Sequence, residues 1–363
     1  MNVANTGKED DKILLEYKEY LNKKYIFGIS AFIFLILLSF YSISVGSFDL
    51  PLKEVISVLI GRDLGMANTI VWNIRFPQVL TAIVAGAGLA VSGAIMQIIL
   101  KNPLGSPFTL GISQAAGFGA AFSIVVLGMG AFHSGTDGEI VINNPYITTI
   151  SAFFWALIST FIILLLIKFK NAATETMILT GVALGSLFQA GTTAIQYFAD
   201  DVEIASIVFW TFGDVARATW TDLLLIIAVL VPAVVYFIKN SWNYNAICSG
   251  DETARALGVD VDKLRIKGML ISSLITAMIV SFVGIIGFVG LVAPHIVRKL
   301  IGTEERYLIP FSCLAGAILL LAADTAARTI ISPVVLPVGI LTSFLGVPLF
   351  IYLILKGENY IWN

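Results

Sequence analysis

Nine apolar segments divide this chain, near residues 25–45, 78–100, 107–129, 147–167, 177–198, 221–238, 268–300, 308–323 and 338–355. Eight of them have the length of one bilayer crossing, for which roughly 20 apolar residues suffice. Such a chain cannot hide its apolar surface inside a water-soluble globule, because too little polar sequence remains to cover it. Only 13% of the 363 residues are charged and 58% are hydrophobic, against about 25% charged in an average soluble domain. The same figures exclude a disordered chain, a collagen-like fibre and a disulfide-stapled secreted module. The expected fold is an all-α polytopic membrane protein.

The segment 268–300 decides the number of crossings. Its 33 residues would form a helix about 50 Å long, against a hydrocarbon core of ~30 Å. Gly284, Gly287 and Gly290 interrupt it, so two short spans joined by a tight turn are expected, which makes ten transmembrane helices. The distribution of Lys and Arg agrees. With ten spans and both termini cytoplasmic, 17 bases fall inside and 5 outside, whereas one long span gives 14 against 8; the larger asymmetry is the one that positive-inside sorting favours. Residues 1–24 then form a cytoplasmic N-terminal segment and 25–356 the transmembrane domain, with 239–267 as its largest cytoplasmic loop. The run Tyr25–Val45 is too long for a signal-peptide core and has no obvious small-x-small cleavage site, so it reads as an uncleaved first span. The acidic, Gly- and Asn-rich stretch Phe132–Asn144 reads as an exposed external loop.

The chemistry of the chain is sparse. A net charge of −2 offers no basic surface for nucleic acid. Cys248 and Cys313 lie far apart, and His133 and His295 are the only histidines, so no metal centre or disulfide framework is indicated. His295, between Pro294 and Arg298, reads as a packing or capping residue. The only Gly-Lys pair, Gly7–Lys8, is followed by Glu9, so the chain has no phosphate-cradling loop of its own. GxSxG and HExxH motifs are absent too, which leaves a membrane-embedded enzyme without a catalytic constellation. An ion-coupled secondary transporter is the competing reading; it usually carries carboxylates inside its spans, and Glu175 and Asp324, both near span ends, are the nearest candidates. Ala82, Gly86, Ala90 and Ala94 recur every four residues, and Gly181 and Gly185 repeat the pattern, as expected where helices approach closely. Pro103, Pro107, Pro294, Pro310, Pro333, Pro337 and Pro348 fall at inferred span ends. Gly250 to Gly258 forms a short helix-compatible run, in which Ala254 and Leu257 are expected on one face and Gly258 as the C-cap.

Several blocks in order are similar to the FecCD family of ABC-importer permeases. Arg75–Phe76–Pro77 resembles the family's R-[LF]-P-R motif. Ser92 to Gln97, Asn102–Pro103–Leu104 and Leu110 to Ser113 resemble its S-G-x-x-x-Q, N-P-L and L-G-x-S signature. Leu179–Leu184, Phe209–Gly213, Gly287–Arg298, Ala323–Arg328 and Leu336–Gly339 match further blocks. The run Gly250–Gly258 resembles the coupling-helix motif G-[DE]-x-x-A-x-x-L-G. Any one block is weak, but the ordered series from about Trp72 to Lys356 is specific.

The resemblance implies a type II ABC-importer permease of ten spans in the cytoplasmic (inner) membrane. A second permease copy, usually identical, completes it; two cytoplasmic ATPase subunits dock on the coupling helices, and an extracytoplasmic binding protein delivers substrate. The substrate class is iron–siderophores, haem and vitamin B12. ATP and magnesium belong to the partner ATPase, and this chain binds no cofactor or metal. Coupling is assigned to Gly250, Asp251, Glu252, Ala254, Arg255, Leu257 and Gly258. Arg75 and Arg328 are expected to receive acidic residues of the binding protein, with an Asp324–Arg328 ion pair as a competing use; where the family often has a second base, this chain has Gln78. Asn102, Leu104, Thr174 and Glu175 are expected at the cytoplasmic gate, Glu175 departing from the small polar residue of the pattern. Met96, Gln97, Phe188, Gln189 and Trp210 are candidates for lining the pathway.

Overall fold

The computed structural model describes residues 3–46, 50–129, 131–133, 140–142, 145–170 and 174–356. Its helices are α1 (Val3–Ser44), α2 (Leu52–Leu59), α3 (Met66–Thr69), α4 (Phe76–Ile99), α5 (Ile112–Ala121), α6 (Pro145–Lys170), α7 (Thr174–Phe198) and α8 (Asp201–Thr211). They continue with α9 (Trp220–Lys239), α10 (Ser241–Cys248), α11 (Asp251–Ala256), α12 (Val261–Val283), α13 (Val289–Ile301), α14 (Glu305–Thr329) and α15 (Val338–Lys356). Among the described residues, seven helical stretches are long and apolar enough to cross a membrane; α5 with the turn that follows it, and α15, are shorter apolar helices, and α13 has 13 residues. Together these ten occupy the ten expected positions. In and just before the stretch 132–144, expected as an external loop, the strands β1 (Ala131–His133) and β2 (Ile140–Ile142) pair antiparallel; residues 134–139 and 143–144 lie outside the described residues.

The bundle is organised around α4. Of its apolar window 78% is buried, against 11% for α1, so α4 is the centre and α1 lies at the periphery, with Ile29, Phe32, Ile33 and Leu37 exposed. Small residues allow this. A Cβ on Gly86 would overlap the Gly316 carbonyl of α14, and one on Gly93 would overlap the Gly290 carbonyl of α13. Ala82, Ala90 and Ala94 are wholly buried on the same helix. On the far side, Gly181 of α7 lies against Leu110 and Thr109 ahead of α5. Both small-residue stripes therefore serve close backbone approach, which in lipid supplies the packing that water would otherwise drive.

Three expectations are corrected. The second span begins earlier than residue 78, because α3 runs through a wide π turn at Ile70–Arg75 straight into α4. That turn falls directly before Pro77, which has no N–H to donate and disfavours the regular ladder. The segment 268–300 does split, but through the unwound stretch 284–288 and not a tight turn. Gly284 (φ 76) and Phe288 (φ 65) open and close it. Its backbone is enclosed by protein: Cβ atoms on Gly213 and Gly339 would both meet the Ile285 carbonyl. Irregular backbone at membrane depth is tolerated only in such an enclosure. Finally, Pro294, Pro310 and Pro348 lie inside helices α13, α14 and α15 and not at their ends.

The crossing points make a direct test possible. Replacing Gly93 by Leu forces α4 and α13 apart and should cost about 1–3 kcal/mol, the usual range for overpacking, seen as a lower melting temperature of the detergent-purified protein. Gly287→Ala, whose nearest neighbour would be Ser343 Oγ at 3.7 Å, should melt like the parent.

Candidate functional site

The segment 239–267 folds as α10, α11 and the first turns of α12. Gly250 (φ 113) and Gly258 (φ 83) bracket α11, backbone conformations that side chains with a Cβ rarely adopt. Between them, Ala254 is 0% exposed and Leu257 70% exposed, so the two do not share a face. The cause is the shortness of α11: it lasts six residues, and Leu257 is already its C-cap (φ −80, ψ 3). Glu252 is exposed, and Arg255 lies 3.4 Å from Asp262 at the surface.

Asp251 ties α11 to the rest of the chain. Its Oδ1 accepts Lys101 Nζ at 2.8 Å and Arg265 Nη2 at 2.9 Å, tying α11 to the end of α4 and to α12. Burial pushes the Asp251 carboxyl up, but the bond from Lys101 and the charges of Arg265 and Lys101 outweigh it and hold the group below the usual carboxylate range. A depressed carboxylate loses its contribution only as the pH falls through that lowered value, so the anchor is fully formed at neutral pH. Sequence reasoning placed Asp251 on the partner-facing surface and counted Lys101 and Arg265 only as inside charges.

The loop between α4 and α5 carries Asn102 and Leu104. Asn102 Oδ1 accepts the Leu104 backbone N–H at 2.8 Å, and Leu104 is exposed. Ser106 and Thr109 close the rest of the loop on each other, at 3.0 Å and 3.2 Å. Thr174 and Glu175, the other two gate candidates, open α7, with side chains that lie outside the described residues.

Beyond this loop, α5 and α7 flank an open groove of about 760 Å³ lined by residues that include Gln114, Gly181, Gly185, Ser186, Gln189 and Thr193. Gln114 Oε1 is buried without a partner. Of the five pathway candidates only Gln189 borders the groove. Met96 and Gln97 are fully buried inside the bundle, where Gln97 accepts a hydrogen bond from Arg298 and donates to the Leu291 carbonyl at 3.4 Å. Phe188 packs edge-on to Trp155 and beside Phe118. Trp210 is buried, its carbonyl accepting from Arg217 Nη1 at 3.2 Å.

Near Gln97, the Glu305 backbone N–H donates to Asn245 Oδ1 at 2.8 Å, and the Cys248 thiol faces Glu305. No cluster of three His, Cys, Asp or Glu able to hold a metal occurs among the described residues, and His295 sits half-buried on α13.

At the opposite end of the bundle the two expected docking arginines are turned inward. Arg75 is 5% and Arg328 6% exposed. Arg75 Nη1 donates to the Ile43 and Ser44 carbonyls at 2.6 Å and 3.0 Å. Arg328 pairs with Asp324 at 3.0 Å and donates to Ser42 of α1 and to Val45 just past its end, while Gln78 donates to Asp324 at 2.9 Å. These groups satisfy carbonyls at the end of α1, and both guanidinium groups are buried there.

The FecCD transport family matches residues 34–356. This chain belongs to that family. An ABC transporter permease protein of Methanocaldococcus jannaschii is 54% identical over 341 residues, covering 94% of this chain and 97% of that protein. The hemin transport system permease of Yersinia pestis is 35% identical over 328 residues, covering 90% and 94%. A solved metal-chelate type ABC transporter in an inward-facing conformation aligns with a TM-score of 0.78 at 29% identity, over 90% of this chain and 98% of that one. The protein is thus a multi-pass permease of the FecCD family with the helical fold of ABC importers.

Two outcomes are expected of this FecCD permease. Burial, then the Glu305 charge, push the Cys248 thiol up to about 12; in a Cys313→Ser background its maleimide labelling at pH 8 should be on the order of a hundredfold slower than that of an ordinary thiol, and become fast in SDS. Arg328→Ala leaves Asp324 buried without its cation and should cost about 3–5 kcal/mol, read as a drop in melting temperature in detergent.

Proposed function

We propose that the chain is half of the membrane pore of a binding-protein-dependent ABC importer for a metal chelate: a ferric siderophore, haem or a corrinoid. A second copy of the chain completes the pore, two ATPase subunits sit on the cytoplasmic side, and a binding protein delivers cargo outside. The α11 end is cytoplasmic, both termini lie on that side, and the host membrane is the cytoplasmic (inner) one. The chain itself catalyses no covalent step and binds no cofactor, ATP and magnesium being held by the ATPase. The hemin permease of Yersinia pestis and the metal-chelate transporter structure support the cargo class.

The observation that carries this reading is the construction of α11: a base fixed by Asp251 and Ala254, and a surface that presents Glu252, Arg255 and a 70% exposed Leu257. Leu257 beside Arg255 and Glu252 offers a docking subunit an apolar contact ringed by charge, the arrangement of a protein–protein interface. An ATPase that grips Leu257 and Arg255 can pull on the bundle, because the anchored side of α11 does not slide. The groove between α5 and α7 is one wall of the path, with Asn102, Leu104, Thr174 and Glu175 closing its cytoplasmic mouth. The residues that line the groove include no carboxylate, which counts against coupling to an ion gradient.

Leu257→Asp combined with Arg255→Asp should lower ATPase co-purification by about tenfold or more, equivalent to ~1.4 kcal/mol, and abolish ATP-driven uptake of hemin or ferric siderophore in proteoliposomes. Uptake that persists without any ATPase, driven by a proton or sodium gradient, would overturn this reading in favour of a carrier.

A further inference from the structure

The coupling helix and the α4–α5 loop, distant in sequence, are joined by one side chain. Lys101 stands just past the end of α4 at φ 43, a left-handed conformation uncommon for any residue with a Cβ. Its backbone N–H is held by the Ile98 carbonyl at 3.1 Å, and the next N–H, of Asn102, by the Gln97 carbonyl at 3.1 Å. That geometry sends the Lys101 ammonium onto Asp251 of α11 at 2.8 Å. Directly after it, the Asn102 side chain closes the turn on Leu104. Arg265, bonded to the same Asp251 oxygen, roots the pair in α12. The apolar contacts of α12 with α4 at Gly268 fall on Ile95 and Ile99, before the loop begins.

We infer that Lys101 is a positioning residue that transmits displacement of α11 to the turn bearing Asn102 and Leu104. This inference rests on the function proposed above, in which an ATPase seats on α11. The ion pair need not supply the energy of opening; it decides where the displacement goes. With Lys101 bound, α11 cannot shift without drawing the first residue of the loop along. With the ammonium removed, α11 moves on its α12 root and the loop stays with α4.

The test uses the complex purified through a tag on this chain, in a Cys248→Ser/Cys313→Ser background, with ATP plus vanadate as the probe. Thr253→Cys reports on α11 and Leu104→Cys on the loop, each read as the rate of maleimide labelling with and without nucleotide. With Lys101 in place both rates should change on nucleotide binding, by about fivefold or more, the low end of measured coupling between sites. Lys101→Asn keeps a residue that tolerates the left-handed conformation and removes the charge. The response at position 253 should persist, the response at 104 should be lost, and Lys101→Arg should restore it. A full response at 104 in the Asn variant overturns the inference. So does loss of both responses in that variant, which would make Lys101 a support of α11 alone. If neither position responds with Lys101 present, the ATPase-driven function itself fails, and this inference with it.

Discussion

The close approach of α4 to α14 and α13 is the constraint on which the rest of this protein depends. Lipid gives helices no hydrophobic reason to associate, so contact distance and polar bonds must hold the bundle. Glycines at 86, 93, 290 and 316 bring backbones together where any side chain would collide. Fixing α4 in the middle also fixes what stands at its ends. At one end Arg75 and Gln78 meet the last turns of α1 and α14; at the other, Gln97 meets Arg298 and Lys101 meets α11. The central helix is thus a beam between two polar clusters, and its composition serves that role more than any contact with cargo.

The groove follows from the same economy of contacts. α7 is held against the residues ahead of α5 through Gly181 and Gly185, but much of its length is left open, with Leu179, Val182 and Leu187 exposed. A helix that buries only a narrow small-residue edge leaves its remaining faces for something outside the chain. The unwound stretch 284–288 lies against α5, with Ile285 beside Gly117, and is walled in by Gly213 and Gly339. Protein on several sides thus encloses this irregular backbone.

The span count was legible in the sequence because it needs only hydropathy, charge asymmetry and glycines at the right place. Orientation within the spans was not. Met96 and Gln97 belong to a helix that is apolar or small on every side, so periodicity selects no face, and both turned out to be buried. Arg75 and Arg328 stood out as bases at one end of the bundle, but a count of bases cannot tell a guanidinium in water from one bonded to the carbonyls of a neighbouring helix. The coupling motif was legible as a motif, yet a six-residue helix ends before i,i+3 spacing has meaning, which is why Ala254 and Leu257 point apart. Lys101, beside Asn102–Pro103, was one inside base among others, and only the fold brings it to Asp251.

The two ionic clusters differ in a way that bears on motion. Arg328 and Asp324 are 7% and 4% exposed, so separating them strands charge in a dry site, at a cost of several kcal/mol. Lys101 and Asp251 are 33% and 27% exposed; water can replace each partner, and such a pair contributes about 0–1 kcal/mol. The first cluster holds α1, α4 and α14 in one arrangement. The second orients α11 and couples it to Lys101 without locking either in one place. A bundle stiff at the Arg75–Arg328 end and exchangeable at the α11 end will yield first where α11 sits, and force applied there is expressed at the near mouth of the groove before it reaches the far one.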